Sequence, residues 1–159
     1  MLEVLVFEVG GQRHGLPAVA VRELLRAVAI TPLPEAPADV AGVINLRGRV
    51  VPVLDVRSRL KLPLKPLAPS DHFVVIEVAE RLQVLRVDRA LDFVRLGEAE
   101  CENVQALVPA AAASARVARV ADQIVLIHDP VSFFSWNNDS ALTQALSEPR
   151  QPQQEKRAS

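Results

Sequence analysis

The run from Gly42 to Leu60, GVINLRGRVVPVLDVRSRL, limits the fold more than any other stretch. Two aliphatic segments, Val43 to Leu46 and Val50 to Leu54, flank the polar turn Arg47-Gly48-Arg49. Two short apolar runs around a short turn containing glycine specify a β-hairpin. Pro52 inside the second segment has no N–H for a ladder, so that strand is expected at an edge or bulged there. The charged segment Asp55 to Leu60 reads as a helical turn or two.

Strand signals recur along the chain. Leu2 to Val9 is followed by a turn at Gly10-Gly11-Gln12-Arg13 and by His14-Gly15-Leu16, a second hairpin. Phe73 to Val78, Ala79-Glu80-Arg81 and Leu82 to Val87 make a third. Val117 to Val120 and Ile124 to Ile127, split by Ala121-Asp122-Gln123, are two further aliphatic runs. Ala18 to Ile30 is ambiguous, because Val21, Leu24, Leu25 and Val28 have the i, i+3, i+4, i+7 spacing of an amphipathic helix. Periodicity alone predicts a helix there. Thr31 to Pro37, with three prolines, is a loop, and Lys61 to Ser70 is a proline-punctuated connector dividing the chain in two. The alanine run Ala110 to Ala113 is a short helix or loop, and Asp129 to Trp136 a terminal turn or helix.

The halves are weakly self-similar. Phe7-Glu8-Val9 corresponds to Ile76-Glu77-Val78, and Glu23-Leu24-Leu25 to Asp92-Phe93-Val94. Val50 to Asp55 corresponds to Ile124 to Asp129. This is either chance similarity between two β-rich segments or a duplicated small β unit of roughly five strands per copy, and two units of that size would need to pack together to bury a core.

The chemistry available is sparse. With 159 residues and a net charge of -1, the chain lacks the basic surplus of a nucleic-acid binder. No Tyr and one Trp leave few platforms for base stacking. The single Cys101, without a neighbouring basic group, is a structural thiol and excludes an intrachain disulfide. His14, His72 and His128 stand isolated in sequence, so no metal set, nucleophile constellation or catalytic residue is expected, and no phosphate loop follows Gly10-Gly11. The stretch MLEVLVFEV has neither the basic start nor the small-residue cleavage site of a leader, so none is expected, and no apolar run approaches about 20 residues. A cytoplasmic protein without cofactor is expected. Two charges stand among apolar neighbours, Glu23 and Arg47. Arg47 either points to solvent from its turn or reaches back to a carboxylate, Glu23 foremost, in a two-pronged contact.

Phe7…Gly10, Val21-Arg22-Glu23-Leu24, Ile30…Leu33-Pro34 and above all Gly42-Val43-Ile44-Asn45-Leu46-Arg47-Gly48…Val51-Pro52-Val53…Asp55-Val56-Arg57 resemble the CheW-like domain of bacterial chemotaxis coupling proteins. Phe73-Val74-Val75-Ile76 and Val87-Asp88…Asp92-Phe93-Val94…Leu96 match its second half. The resemblance implies a mainly β fold of two packed SH3-like five-stranded barrels with short helical segments. It places one domain over residues 1–136, with subdomains at about 1–62 and about 70–136 and a polar, disordered tail at 137–159. It implies a strand around Arg22 to Ile30, preceded by a helical turn near Pro17 to Val21, against the periodicity.

The implied function is a non-catalytic adaptor between the cytoplasmic tip of a chemoreceptor and the regulatory domain of a CheA-type histidine kinase. It would sit in the cytoplasm and be recruited to membrane-receptor arrays, without entering the membrane or binding nucleic acid. A scaffold of another chemosensory-type pathway, for surface motility or second-messenger control, is the alternative. The resemblance also makes Glu23 and Arg47 a structural pair, and lines a receptor groove with Val21, Leu24, Val43, Asn45 and Arg47. The second half departs from the family pattern. Gln83, Val84 and Arg86 occupy a region where the family has glycine, Arg116 to Gln123 has none, and Pro130 replaces an apolar residue.

Overall fold

The computed structural model describes residues 1–103, 107 and 116–131. In chain order the strands are β1 (Leu2–Val9), β2 (Gln12–Pro17), β3 (Val21–Arg26), β4 (Val40–Leu46), β5 (Arg49–Asp55), β6 (His72–Val78), β7 (Arg81–Val87), β8 (Arg89–Leu96), β9 (Cys101–Asn103), β10 (Arg116–Val120) and β11 (Gln123–Ile127). A single-turn helix, α1 (Val56–Arg59), is capped by the Asp55 carboxylate, which accepts from the Arg57 N–H. The expectations for residues 110–113 and 137–159, and all of 129–136 beyond Val131, lie outside the described residues.

The mainly β expectation holds, in two sheets ordered β8-β1-β2-β11-β10-β9 and β3-β6-β7-β5-β4. Neither sheet is closed into a barrel among the described residues: β8 and β9 edge the first, β3 and β4 the second. Sheet membership crosses the connector. The β1–β2 hairpin from the first half joins β8 to β11, and the β6–β7 hairpin from the second half joins β3 to β5. If β1 is matched to β6, β2 to β7, β3 to β8, β4 to β10 and β5 to β11, the two orders superimpose apart from the extra β9.

The register confirms the repeat at residue level. Glu23 pairs with Val75 and Val21 with Ile76, with Arg22 extra between them. In the other sheet Asp92 pairs with Val6 and Ala90 with Phe7, with Leu91 extra. The same bulge sits at the same place in both copies. Each sheet also carries one parallel pair, β5 with β7 and β11 with β2.

Three apolar clusters explain why β1 and β6 are nearly continuous hydrophobic runs. Val4 and Val6 of β1 point into a cluster with Leu96, Ala118, Val125 and Ile127. Phe73 and Val75 of β6 point into another with Ile44, Val51, Val53 and Val84. The alternate residues, Leu5, Phe7 and Val9 of β1 with Val74, Ile76 and Val78 of β6, meet in a third cluster joining the sheets. A strand buried on both faces loses the apolar–polar alternation of a half-wet strand. Each such side chain contributes roughly 1.5–3 kcal/mol by leaving water.

Four hairpins turn on two residues in left-handed backbone: Gly10-Gly11, Arg47-Gly48, Ala79-Glu80 and Ala121-Asp122. Paired positive φ values are those of the type I′ turn, whose twist matches the flanking strands. The expected three-residue turn at Arg47 is thus a two-residue one, with Leu46 paired to Arg49.

Pro52 lies in a central strand, not at an edge, and the register explains how. The hairpin is closed by the hydrogen-bonded pair Leu46–Arg49, and bonded and non-bonded pairs alternate from there. Val43–Pro52 is therefore a non-bonded pair, and the proline nitrogen faces away from β4, toward β7. Pairing to β7 begins only at Val53–Val84, so no N–H is missed before it. The outward-facing amide and carbonyl of Val43 are instead satisfied by Thr31, at 2.8 and 2.9 Å. That close approach requires Gly42, where φ is +149° and a Cβ would stand 2.2 Å from the Thr31 carbonyl oxygen.

Arg86, read from sequence as a departure, is the buried pin of the connector. Its Nε donates to Asp71 Oδ2 at 3.1 Å, its Nη1 to Asp55 Oδ2 at 3.3 Å and its Nη2 to the Lys65 carbonyl at 2.8 Å. Asp71 also accepts from the Ala68 N–H. Arg57 ties the same connector by donating to the Pro63 carbonyl and to Asp88, whose carboxylate also accepts from the Gly10 N–H. Arg86→Leu leaves two buried carboxylates without the cation they share, with only the exposed Lys65 ammonium still 4.0 Å from Asp71 Oδ1. A loss of about 3–5 kcal/mol in denaturant unfolding is expected; a loss below about 1 kcal/mol would show that the cluster is effectively solvated.

Candidate functional site

The sequence-selected residues fall on β3 and β4, the two edges of one sheet. Their strands are not neighbours in the ladder; a side-chain contact and the Thr31–Val43 bridge connect them. Glu23 rises from β3 just after the bulge. Arg47 sits at the first left-handed position of the β4–β5 turn, with φ +51°. That conformation aims its side chain back across the sheet end. Arg47 Nη1 donates to Glu23 Oε1 at 2.7 Å, and Nη2 donates to Oε2. The hydrogen bonds from Arg47 hold the Glu23 carboxyl below its ordinary range, and the same contact raises the guanidinium.

The pair lies at the surface, with the Arg47 side chain 69% exposed and the Glu23 side chain 26% exposed. Water screens such a pair, and its effect is to fix geometry between two edges more than to add stability. Asn45 supports the same turn, its Oδ1 accepting from the Gly48 N–H at 2.7 Å.

The remaining candidates separate. Leu24 is 42% exposed on β3. It lines a cleft of about 210 Å³ with Leu25, Arg26, His72 and Ala90. This cleft lies between the facing edges of the two sheets, because Ala90 belongs to β8. Its floor is bridged where the Ala90 N–H donates to His72 Nδ1 at 2.8 Å. Val21, one turn of the pleat away, is instead packed against the core joining the sheets. Val43 is partly covered on β4, and neither it nor Asn45 lines the cleft. Next to Leu24, Arg22 is held by Glu77 at 2.9 Å and by the Val19 carbonyl.

Two arrangements were not legible from sequence. One is the Arg86 cluster, signalled only by an arginine inside an apolar strand. The other corrects the expectation of isolated histidines: His14 Nδ1 and His128 Nε2 are 3.0 Å apart, with rings stacked and Phe7 stacked behind His14. Among the described residues no three His, Cys, Asp or Glu side chains converge as a metal site needs. Nor is any helix there long and apolar enough to cross a membrane.

Arg47→Ala is expected to lower the melting temperature by a small, measurable margin beyond Arg49→Ala, since only the first breaks a tie between strands, one that water screens; equal shifts would show Arg47 to be an ordinary turn residue. The histidine pair sets a pH dependence. Burial pulls His14 to about 4 and His128 to about 3, the latter helped by repulsion from His14. In the unfolded chain both titrate near 6.5. Below that pH the unfolded state binds more protons, so stability is full above about 6.5 and falls toward about 4. The slope is up to about 1.4 kcal/mol per pH unit for each histidine. His14→Gln, which copies Gln83 of the sister sheet, should roughly halve the slope between pH 6.5 and 5 in denaturation experiments; an unchanged slope would remove the pair as its source.

Comparison with known proteins agrees with this architecture. Residues 3–137 match the family model described as the CheW-like domain. The chain is 35% identical to the chemotaxis protein CheW of Rhizobium meliloti over 100 residues, 63% of this chain and 64% of that protein. The match thus spans slightly less than two thirds of that relative's own length. Protein FrzA of Myxococcus xanthus is 48% identical over 54 residues, 34% of each chain. The crystal structure of the scaffolding protein TtCheW from Thermoanaerobacter tengcongensis superimposes with a TM-score of 0.75, covering 86% of this chain and 94% of that one at 24% identity. With the sequence run from Gly42, the two related sheets and a family match over nearly the whole described chain in agreement, this protein belongs to the CheW-like domain family.

Proposed function

We propose that the chain is a non-catalytic adaptor that couples the cytoplasmic tips of chemoreceptors to the regulatory domain of a CheA-type histidine kinase. The observation that carries this beyond family membership is the cleft between the sheet edges, with Leu24 exposed on its rim. An amphipathic receptor helix laid there would bury its apolar stripe against Leu24 and Leu25. The Glu23–Arg47 tie holds β3 and the β4–β5 turn in fixed relation, so that Val43, Asn45 and Arg47 could extend the contact from β4. Val21 acts from beneath, by seating β3 on the core between the sheets. The kinase regulatory domain, whose fold the family resemblance implies to be similar, would dock on a sheet face outside this cleft. Work in the cytoplasm, at membrane-receptor arrays, follows from that role.

A second reading, a scaffold for a different chemosensory-type pathway, is favoured by the high local identity to a relative named FrzA. The two readings use the same surfaces and differ in which receptor and kinase occupy them.

Leu24→Glu is expected to weaken binding of a receptor cytoplasmic fragment at least tenfold in pull-down or calorimetry, with binding of the kinase regulatory domain unchanged. Equal loss of both would point to misfolding of β3. Absence of binding to either partner by the unaltered chain, tested with components of both pathway types, would remove the adaptor proposal.

A further inference from the structure

The internal repeat sets the two seams between the sheets side by side, and they are closed differently. Val21 and Ala90 hold equivalent places, each just before the extra residue of its bulge, with Val21 paired to Ile76 and Ala90 to Phe7. The Val21 N–H is satisfied within the backbone, by the Ala18 carbonyl of the short 3-10 turn Ala18–Ala20 before β3. Strand β8 follows β7 after Asp88 alone, which leaves no room for such a turn. Its Ala90 N–H instead crosses to the other sheet and donates to His72 Nδ1 at 2.8 Å. Both residues line the cleft beside Leu24, Leu25 and Arg26.

That bond fixes the chemistry of the ring. A backbone amide only donates, so Nδ1 must offer its lone pair, and the proton of the neutral imidazole sits on Nε2. The imidazolium carries an N–H on both nitrogens. Turning the ring over would bring a C–H to the amide, which accepts nothing. A proton on His72 therefore removes the acceptor and sets two N–H groups against each other. The surrounding charges do not offset this. Arg26 of β3 is paired with His72 across the ladder and lines the same cleft, and the partner on β7, Val87, is uncharged. On the adjoining segments, Asp71 is held by Arg86, Asp88 by Arg57 and Arg89 by Glu8. In the sister sheet the pairing equivalent to His72–Arg26 is Glu3–Arg95, of opposite charges. Here a protonated ring faces a like charge, which disfavours the pairing.

We propose that His72 is a pH-operated latch on this cleft. Neutral, it ties the start of β8 to the start of β6 and keeps the seam narrow. Protonated, it releases Ala90, and the two sheet edges part. The state that takes up the proton is favoured as pH falls, so acidification opens the seam. Imidazole is the side chain that changes charge between about pH 5 and 8, and His72 is only partly covered, so protons reach it from solvent. The latch is a property of the seam and does not rest on the receptor reading; it sets the shape that any occupant of the cleft meets.

The test is amide hydrogen exchange and NMR of the full chain between about pH 8 and 5.5, with exchange rates corrected for their intrinsic pH dependence. The His72 ring and the Ala90 amide are expected to titrate together. Ala90 protection should fall at least about fivefold across that transition, the weight of one ordinary hydrogen bond. His72→Asn puts an acceptor that does not titrate near the place of Nδ1 and should keep Ala90 protected at both ends of the range. His72→Leu offers no acceptor and should leave Ala90 poorly protected throughout. Ala90 protection that stays constant while His72 titrates, a ring that stays neutral down to about pH 5.5, or the same loss in His72→Asn would overturn the proposal.

Discussion

The structure depends on two strands that have no wet face. β1 and β6 each send alternate side chains into the core of their own sheet and into the core between sheets. Because both faces are buried, a one-residue slip in either strand would exchange the contents of two cores, so register is held from both sides. The hairpins that contain these strands are also the ones exchanged between halves. The double burial and the crossed topology are therefore one constraint: each sheet takes its central hairpin from the other half of the sequence.

The periphery is then free to be specialised. The edges β3 and β4 are joined by devices that use little core: a two-pronged Glu23–Arg47 contact, an Asn45-supported turn and a two-bond bridge from Thr31. Such ties keep exposed side chains in place without burying them. The equivalent edge β8 has Asp92 where β3 has Glu23, and there the carboxylate accepts from the Phe93 N–H next to it. The same ancestral position has thus become a strand-to-turn tie in one copy and a local edge cover in the other.

Much of this was legible in the sequence, and the failures have physical causes. Hairpins with glycine in the turn, and the long apolar runs, announced themselves. The helix-like spacing of Val21, Leu24 and Leu25 arose from a bulge. With Arg22 extra, Val21 faces the core between sheets while Leu25 faces the core of its own sheet, so the period-2 signal is broken. Pro52 argued for an edge strand, but a non-bonded ladder position beside a splayed parallel neighbour admits it in the centre. Arg86 and the His14–His128 stack could not be read because their partners are remote in sequence and arrive only through the crossed topology. The Glu23–Arg47 contact was suggested by residue type and resemblance. Its exposure was not, since apolar neighbours in a strand say nothing about which face is wet.

The exchange of hairpins has a consequence for how the chain is made. β2 is complete at Pro17, yet its parallel neighbour β11 ends at Ile127. At about 5–20 residues per second, the ribosome leaves the first hairpin without that neighbour for on the order of ten seconds. The second hairpin, by contrast, emerges to find β3 and β5 already made. One sheet can therefore close as soon as the second hairpin emerges, and the other must wait until β11 is made, with the β1–β2 hairpin held against the finished sheet by Leu5, Phe7 and Val9.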